Sequence, residues 1–547
     1  MFRLYIVQVI DASKYKGVAN QQHTKIASSI FNRGTISFTK KDGGLVSAAT
    51  LQSGYIVAIN PQILKNAEDV YKKLVLLVPS LDENIFLTHA KKVNDPYEEI
   101  LKHVDSDTGK KIGALGIVGL NIFQDKWRFY PGDSIAAHVL GLVGYKGDVL
   151  GGRYGLERFY EDTLKKDNQV SYVNFFVSIF SNIKNGLSGN AKYEGDIVTT
   201  IEPSVEAFLE RELEQINKKW SSDYSGGIII DPKTGEIVAM ALYPTFNPNA
   251  PQDEISSAIF SNPLVENVYE MGSIIKPLTM SAGIDTGAVT PKTTYFDTGS
   301  VTLNGKTISN YDGKGRGLIP MQEVLNQSLN TGAAFVVKTM GKEKFLKYMF
   351  DFGLGEKSGI DLPNEAAGLV DNLNSPREIE PTTASFGQGI AISPVVTVRA
   401  LSVLANGGTL IYPHIVKEIN YTTGLSKTIS FPEGRRVLKP ETSETISKML
   451  VETVDKSIIE GKIKIPNYSV AAKTGTAQIA KEGGGGYYDD RFLHSFFGYF
   501  PAYDPRFLVF IFTYNPKGVK YSSDTLPIPF MDITKFLINY YEIPPDR

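Results

Sequence analysis

The chain has 547 residues and a formal net charge of −2, from 57 Lys and Arg against 59 Asp and Glu. A chain of this length is expected to form more than one domain, since single hydrophobic cores stop growing well before this size. The balanced charge gives no electrostatic argument for nucleic-acid binding. The lack of cysteine excludes disulfides, cysteine-ligated metals and thiol catalysis.

The N-terminal segment, residues 1–10, is mostly apolar, and the sequence turns polar at Asp11. This run is about half of the roughly 20 apolar residues that a membrane span needs. It also lacks the small-residue cleavage site of a signal peptide. From this segment alone, two interpretations stay open: an ordinary amphipathic start, or the outer end of a membrane anchor whose first part is absent from this chain.

Residues 11–190 are predicted to form one region, with short strand-like runs such as Tyr55–Ile59. Residues 195–200 follow as a strand, and Pro203 opens a helix because proline suits a first helical turn. Apolar residues then recur at helical spacing, which predicts a helix with one buried face. They are Val205, Phe208, Leu209, Leu213, Ile216 and Trp220.

A hairpin follows, with strands at 227–230 and 236–240 around a turn at 231–235. Residues 270–405 are predicted to be mostly helical, and further strands are expected near 468–478 and 494–514. A last helix is predicted to pack through Phe530, Ile533, Leu537 and Ile538. This order predicts an α/β (α+β) domain whose central, largely antiparallel sheet joins strands far apart in sequence.

None of the six histidines has the spacing of a metal site, and the phosphate-binding loop Gly-x-x-x-x-Gly-Lys-Ser/Thr is not present. The chemistry of the chain therefore does not rest on histidine or on such a loop. Another nucleophile system needs Ser-x-x-Lys, Ser-x-Asn and Lys-Thr-Gly. Each element alone is weak, because each occurs more than once. Ser-x-x-Lys begins at Ser13, Ser37, Ser181 and Ser273, Ser-x-Asn at Ser188 and Ser328, and Lys-Thr-Gly at Lys233 and Lys473.

The early matches have simple structural explanations. Lys233 lies at the tip of the predicted hairpin, where Gly235 would supply a positive φ, so a solvent-exposed turn is favoured there. The three early serines do not begin a convincing helix, and Ser188 lies in a Gly-Ser-Asn loop of ordinary turn composition.

The late matches occur in the local contexts that catalysis requires. Gly272 permits a sharp start to a helix at Ser273, and a spacing of three places Lys276 on the same helix face. A serine hydroxyl is a weak nucleophile until a base takes its proton. Lysine is such a base only when burial and nearby positive charge lower its pKa, and Lys473 is a candidate source of that charge.

The other two late elements fit substrate binding. The Ser328 hydroxyl is a candidate proton relay, and the Asn330 amide a candidate partner for a substrate carbonyl. The small residue Gly475 would let an extended substrate pair with the strand edge, where Lys473 and Thr474 would face a carboxylate. Each element alone also fits a plain role, such as a helix cap or an exposed lysine.

These motifs, in this order, resemble those of the penicillin-binding proteins and class A β-lactamases. The chain looks most similar to the high-molecular-weight class B penicillin-binding proteins, the monofunctional peptidoglycan D,D-transpeptidases. The resemblance covers nearly the whole chain. Its further matches are the segments 33–36, 129–131, 136–141, 155–157, 227–240, 386–389 and 495–498.

The resemblance implies that Ser273 is acylated by a D-Ala-D-Ala stem peptide with release of D-Ala, and that Lys276 is its base. It implies that Ser328 shuttles protons and that Asn330 holds substrate. It assigns the substrate carboxylate and peptide to Lys473, Thr474, Gly475 and Thr476. The N–H groups of Ser273 and Thr476 would form the oxyanion hole. An amine acceptor would then complete a 4-3 cross-link.

The resemblance also implies a domain order and a location. We expect the end of a membrane anchor at 1–10, a mixed pedestal or dimerisation domain at 11–190, and a transpeptidase domain at 195–545. The catalytic domain would lie outside the cytoplasm on a single N-terminal anchor. No cofactor and no metal are expected. The expected partners are stem peptides, β-lactams, a membrane glycosyltransferase and other division or elongation proteins, and no nucleic acid.

The sequence departs from the family pattern in two places. Met271 stands where proline is usual, and residues 37–43 replace the Asp-Arg-Asn-Gly-like run that usually follows Arg-Gly-x-Ile. Residues 383–389 and 492–505 favour the septal over the lateral-wall type.

Two alternative functions stay open. One is a D,D-carboxypeptidase or β-lactamase-like hydrolase, which needs no large N-terminal region, and the other is a non-catalytic β-lactam-binding division scaffold.

Overall fold

The structure, a computed structural model, describes residues 31–147, 149–166 and 193–547. The apolar segment 1–10 lies outside these ranges, and so do the motif matches that begin at Ser13, Ser181 and Ser188. Among the described residues, none of the helices combines the length and the apolar character that crossing a membrane requires.

The N-terminal region alternates strands with short helices. Its strands are β1 (Ile36–Thr39), β2 (Leu45–Ile59), β3 (Glu98–Val104), β4 (Leu120–Phe129), β5 (Val143–Lys146), β6 (Val149–Gly152) and β7 (Gly195–Thr199). Its helices are α1 (Ala67–Val75), α2 (Glu83–Ala90), α3 (Ser106–Gly113), α4 (Ala137–Leu140), α5 (Gly155–Phe159) and α6 (Glu161–Leu164). The predicted strands at 55–59 and 195–200 are therefore confirmed.

The C-terminal region is larger and mixes both element types. Its strands are β8 (Tyr224–Ile230), β9 (Ile237–Tyr243), β10 (Thr294–Asp297), β11 (Ser300–Leu303), β12 (Lys306–Ser309), β13 (Gly317–Pro320), β14 (Thr409–Leu410), β15 (Val416–Tyr421), β16 (Ser426–Thr428), β17 (Arg435–Arg436), β18 (Ala471–Ala480), β19 (Tyr487–Phe500) and β20 (Phe507–Tyr514). Its helices are α7 (Pro203–Trp220), α8 (Pro263–Glu266), α9 (Lys276–Asp285), α10 (Met321–Asn326), α11 (Asn330–Met340), α12 (Lys342–Asp351), α13 (Ile379–Ala384), α14 (Pro394–Ala405), α15 (Pro440–Lys456) and α16 (Pro527–Tyr541).

A seven-stranded sheet organises the N-terminal region, in the order β16-β15-β7-β1-β2-β3 with β4 also paired to β2. The neighbours β1 and β7 are parallel, and the other pairs are antiparallel. Strands β15 and β16 come from residues 416–428, more than 200 positions after β7, so this sheet includes a hairpin from the C-terminal part of the chain. The domain boundaries at 11–190 and 195–545 stay a prediction.

The C-terminal region is built on a five-stranded antiparallel sheet, in the order β18-β19-β20-β8-β9. The predicted hairpin supplies β8 and β9, and the late strands complete the sheet, so the prediction of an α/β fold from strands far apart in sequence is confirmed. Strand β18 pairs with β19 on one side and forms an edge of the sheet.

Helices cover both faces of this sheet because successive side chains of a strand point to opposite faces. In β8, Ile229 joins the apolar cluster with α7 and α16, whereas Ile228 and Ile230 join the cluster on the other face with α9, α14 and α15. The predicted apolar faces of α7 and α16 lie in the first cluster, as expected.

The prediction of a mostly helical stretch at 270–405 is wrong in part. Residues 294–320 form two small antiparallel pairs, β10 with β13 and β11 with β12. The tip of the β11–β12 hairpin has turn residues that the sequence analysis passed over, Asn304 and Gly305, which both have positive φ. These strands lie beside the start of α11 and therefore near the residues of the Ser-x-Asn motif.

A buried ion cluster ties the N-terminal region together. The carboxylate of Glu157 is fully buried and lies 2.5 Å from the Nε atoms of both Arg33 and Arg128. Tyr130 donates a hydrogen bond to the same carboxylate over 3.2 Å. Burial by itself raises the pKa of Glu157, but the two guanidinium groups outweigh burial and lower this pKa below its usual range.

We predict that Glu157→Gln lowers the free energy of unfolding by about 3–5 kcal/mol, because breaking this buried ion cluster leaves Arg128 without a counter-charge and Arg33 with only the partly exposed Glu161. Urea unfolding followed by circular dichroism measures this change. The control is Glu444→Gln, which removes an exposed pair with Lys448 and should lower the stability far less, since exposed ion pairs contribute little. Equal effects of the two substitutions would contradict the prediction.

Candidate active site

The first predicted site residue, Ser273, lies in a short 3-10 turn, Gly272–Ile275, that continues into α9. Gly272 has a φ of +62°, and a Cβ atom there would lie 2.6 Å from the backbone carbonyl oxygen of Thr476. A Cβ on Gly475 would likewise lie 2.7 Å from the carbonyl oxygen of Met271. These two glycines let the serine turn pack directly against β18.

Two lysine side chains meet at Ser328. The Nζ atom of Lys276 donates to the Ser328 carbonyl oxygen over 2.5 Å and to its hydroxyl over 3.2 Å. The Nζ atom of Lys473 donates to the same hydroxyl over 3.0 Å. Ser328 has a φ of 55°, in the left-handed region, which is uncommon for a residue other than glycine. The structure thus brings together residues from all three motifs.

Burial sets the protonation of these lysines. Lys276 and Lys473 are 1% and 2% exposed. Desolvation lowers the pKa of Lys276 well below its usual value, and the charge of Lys473 lowers it further. Desolvation also lowers the pKa of Lys473, to about 7. A neutral amine is therefore accessible near neutral pH, which is the requirement for a lysine that accepts a proton.

Asn330 begins α11, and its side-chain amide donates to the Ser309 carbonyl oxygen over 2.8 Å. The next residue, Thr331, donates from its hydroxyl to the buried carboxylate of Asp297 over 2.8 Å. Asn310 donates to this carboxylate as well, over 3.0 Å. These bonds connect strands β10 and β12 to the helix start and so hold Asn330 in place.

Strand β18 supplies the third motif at the open edge of the sheet. Along it, Lys473 and Gly475 are buried, whereas Thr474 and Thr476 are half-buried. The Thr476 hydroxyl oxygen accepts a hydrogen bond from the Ser522 N–H over 3.0 Å, which leaves its own hydrogen available to donate elsewhere. An edge strand with small and hydroxyl-bearing residues is suited to pairing with an extended peptide.

These groups share one cleft with a volume of about 450 Å³. It is lined by predicted site residues, namely Ser273, Ser328, Asn330, Lys473, Thr474 and Thr476. Lys276 lies beneath and contacts the cleft residue Ser328. The cleft is also lined by residues that the sequence analysis did not single out, among them Tyr311, Gln388, Asp489, Lys520 and Tyr521. Only Gln388 had a signal, since it lies in a family motif at 386–389.

Glu270, three residues before Ser273, also escaped the sequence analysis. Its carboxylate accepts hydrogen bonds from the Gly389 N–H over 3.1 Å and from the Tyr487 hydroxyl over 2.8 Å. Burial raises its pKa. Glu270 thereby connects the nucleophile segment to β19 and to the 386–389 loop.

The described early motif matches are structural. Lys233 lies in the β8–β9 turn, where it forms an ion pair with Asp504, and Gly235 has the expected positive φ of 89°. Ser37 lies within strand β1 rather than at a helix start. The interpretation of both as ordinary structural positions is therefore confirmed.

Comparison with known proteins gives matches to both regions. Residues 226–532 match the penicillin binding protein transpeptidase domain, and residues 32–199 match the penicillin-binding protein dimerisation domain. The chain is 30% identical to stage V sporulation protein D of Bacillus subtilis, over 97% of this chain and 81% of that protein. It is 25% identical to peptidoglycan D,D-transpeptidase FtsI of Buchnera aphidicola, over 100% of this chain and 93% of that protein.

Solved structures share the fold. Penicillin binding protein 3 of Mycobacterium tuberculosis, complexed with aztreonam, has a TM-score of 0.72 at 22% identity, over 95% of this chain and 98% of that chain. The apo form of the same protein has a TM-score of 0.68 at 26% identity, over 77% of this chain and 92% of that chain. With one domain match covering more than half of its residues and a relative aligned over nearly all of them, the chain belongs to the class B penicillin-binding proteins.

Proposed function

We propose that this chain is a peptidoglycan D,D-transpeptidase that works through an acyl-enzyme on Ser273. The observation that carries the proposal is the convergence of Ser273, Ser328 and Lys473 in one cleft beside an open sheet edge, with a second buried lysine beneath it in contact with Ser328. Relatives over most of this chain include proteins named peptidoglycan D,D-transpeptidase, which supports the same activity.

Acylation begins with Lys276 in its neutral form. Its amine takes the proton of the Ser273 hydroxyl as the oxygen bonds to the carbonyl carbon of the penultimate D-Ala. The N–H groups of Ser273 and Thr476 stabilise the oxyanion that forms. The C–N bond then breaks, the proton held by Lys276 passes through the Ser328 hydroxyl to the leaving nitrogen, and the terminal D-Ala departs.

Substrate recognition uses the edge of β18. Lys473 and Thr474, with the Thr476 hydroxyl, bind the carboxylate of the terminal D-Ala through charge-assisted hydrogen bonds. The rest of the stem peptide pairs with the strand towards Gln478, and the Asn330 amide holds a peptide carbonyl. A β-lactam resembles the D-Ala-D-Ala end and acylates the same serine.

The acyl group passes to an amine rather than to water, giving a 4-3 cross-link. The presence of a large N-terminal region favours this over a carboxypeptidase or β-lactamase, since hydrolysis needs no such region. Complete catalytic motifs argue against a non-catalytic scaffold.

We place the enzyme in septal wall synthesis, outside the cytoplasm on an N-terminal anchor, with a glycosyltransferase and division proteins as partners. The septal leaning rests on residues 383–389 and 492–505.

We predict that a fluorescent penicillin labels this protein covalently and that Ser273→Ala abolishes the label, because the acyl group then has no oxygen to bind. Gel fluorescence after denaturation measures it. Equal labelling of both proteins would contradict the nucleophile assignment. Persistence of the adduct for hours supports a transpeptidase, and its rapid loss would identify a β-lactamase.

We predict that Lys276→Met lowers the acylation rate by at least about 10²-fold, since general-base catalysis typically contributes that much. Methionine keeps the side-chain volume, so thermal unfolding should show a folded protein. Stopped-flow measurement with the fluorescent penicillin gives the rate. Lys233→Met, in the hairpin copy of Lys-Thr-Gly, is the matched control and should acylate normally. Normal acylation by a folded Lys276→Met protein would exclude the base role.

We predict that acylation slows as the pH falls through the range in which the buried amines gain protons, because only a neutral Lys276 accepts the serine proton. The charge of Lys473 lowers the pKa of Lys276. Lys473→Met should therefore raise this pKa and move the acid limb of the pH–rate profile to higher pH, besides lowering the rate. An acid limb that stays in place or moves to lower pH would contradict this coupling.

A further inference from the structure

The catalytic cleft extends to a wall formed by the last turn of helix α15 and the residues that follow it. Four residues line the cleft there, namely Thr453, Ser457, Ile458 and Ile459. Ile458 belongs to the same apolar cluster as Val470 and Ala472, which lie three and one residues before Lys473. The wall therefore lies at the end of the cleft where β18 begins, away from Gln478.

The direction of the donor peptide follows from the proposed function, on which this inference rests. The scissile carbonyl lies at the N–H groups of Ser273 and Thr476, and the terminal carboxylate lies towards Lys473 and Thr474. The donor thus runs from Gln478 towards the start of β18. Its leaving D-Ala points at the wall of Ile458 and Ile459.

The acceptor must enter where the D-Ala left. In the second half-reaction the acceptor nitrogen bonds to the ester carbonyl carbon, the bond from that carbon to the Ser273 oxygen breaks, and an amine proton returns to this oxygen. This step mirrors acylation, so the attacking nitrogen takes the position of the departing one. The body of the acceptor then lies against the wall.

Backbone conformation marks Ile459 as unusual. Its φ and ψ are both 46°, and Glu460 follows at 55° and 35°, so two consecutive residues are left-handed. This is an outlier for a β-branched residue, and glycine would suit either position better. Ile459 lines the cleft, whereas the Glu460 side chain is 84% exposed. Outliers of this kind concentrate at functional sites.

We propose that Ile458 and Ile459 form the acceptor subsite and pack against the methylene chain of an aliphatic side chain that ends in a primary amine. An apolar wall matches methylene groups, and the amine at the end of such a chain reaches the ester on Ser273.

The test uses the full chain with a D-alanyl thioester as donor and two acceptors of similar basicity, n-pentylamine and methylamine. Released thiol reports acylation, and the yield of amide against acid reports the acceptor. We expect the protein to prefer pentylamine by about tenfold, the discrimination typical of added methylene groups in an apolar pocket. Ile459→Asn should abolish the preference, measured as amide formed per thiol released, because asparagine tolerates the left-handed conformation but removes the apolar surface.

Glu460→Asn is the matched control, with the same backbone conformation next to the wall, and it should keep the pentylamine preference. A retained preference in Ile459→Asn, or none in the unmodified protein while thiol is released, would overturn the acceptor subsite alone. Absence of thiol release from the unmodified protein would instead overturn the proposed function and the subsite with it.

Discussion

The site depends on the burial of two ammonium groups against one serine hydroxyl. Taking Lys276 and Lys473 out of water disfavours their charged forms, and their proximity disfavours two charges at once. The hydroxyl of Ser328 joins them. These two amines therefore lose their protons readily near neutral pH. This happens without a histidine or a metal among the groups that we assign to catalysis.

The surrounding fold maintains this arrangement. The serine turn can approach β18 only because Gly272 and Gly475 lack side chains. The sheet is covered by helices on both faces, which removes water from the lysines, while the edge at β18 stays open for a peptide. The same architecture therefore gives the proposed base a dry environment and leaves an open strand edge for the proposed substrate.

The N-terminal region has a buried ion cluster of its own. Glu157 joins Arg33 to Arg128, which come from segments about 95 residues apart, so this cluster fixes how the chain returns on itself. Strands β15 and β16 extend the sheet of this region from the C-terminal part of the chain. This shared sheet links the two regions through backbone hydrogen bonds.

The sequence by itself determined the family, the three catalytic motifs and the elements with strong periodicity, such as α7, α16 and the β8–β9 hairpin. Local patterns suffice there because residues 3–4 or 2 positions apart share a face. No such pattern predicts three other features. They are the strands at 294–320, the hydrogen bond from the Gly389 N–H to Glu270, and the wall at Ile459. Only the tertiary structure decided them, because each depends on which distant segments meet. The acid–base properties of the lysines belong to this second group, since burial and mutual distance, rather than residue type, set a pKa.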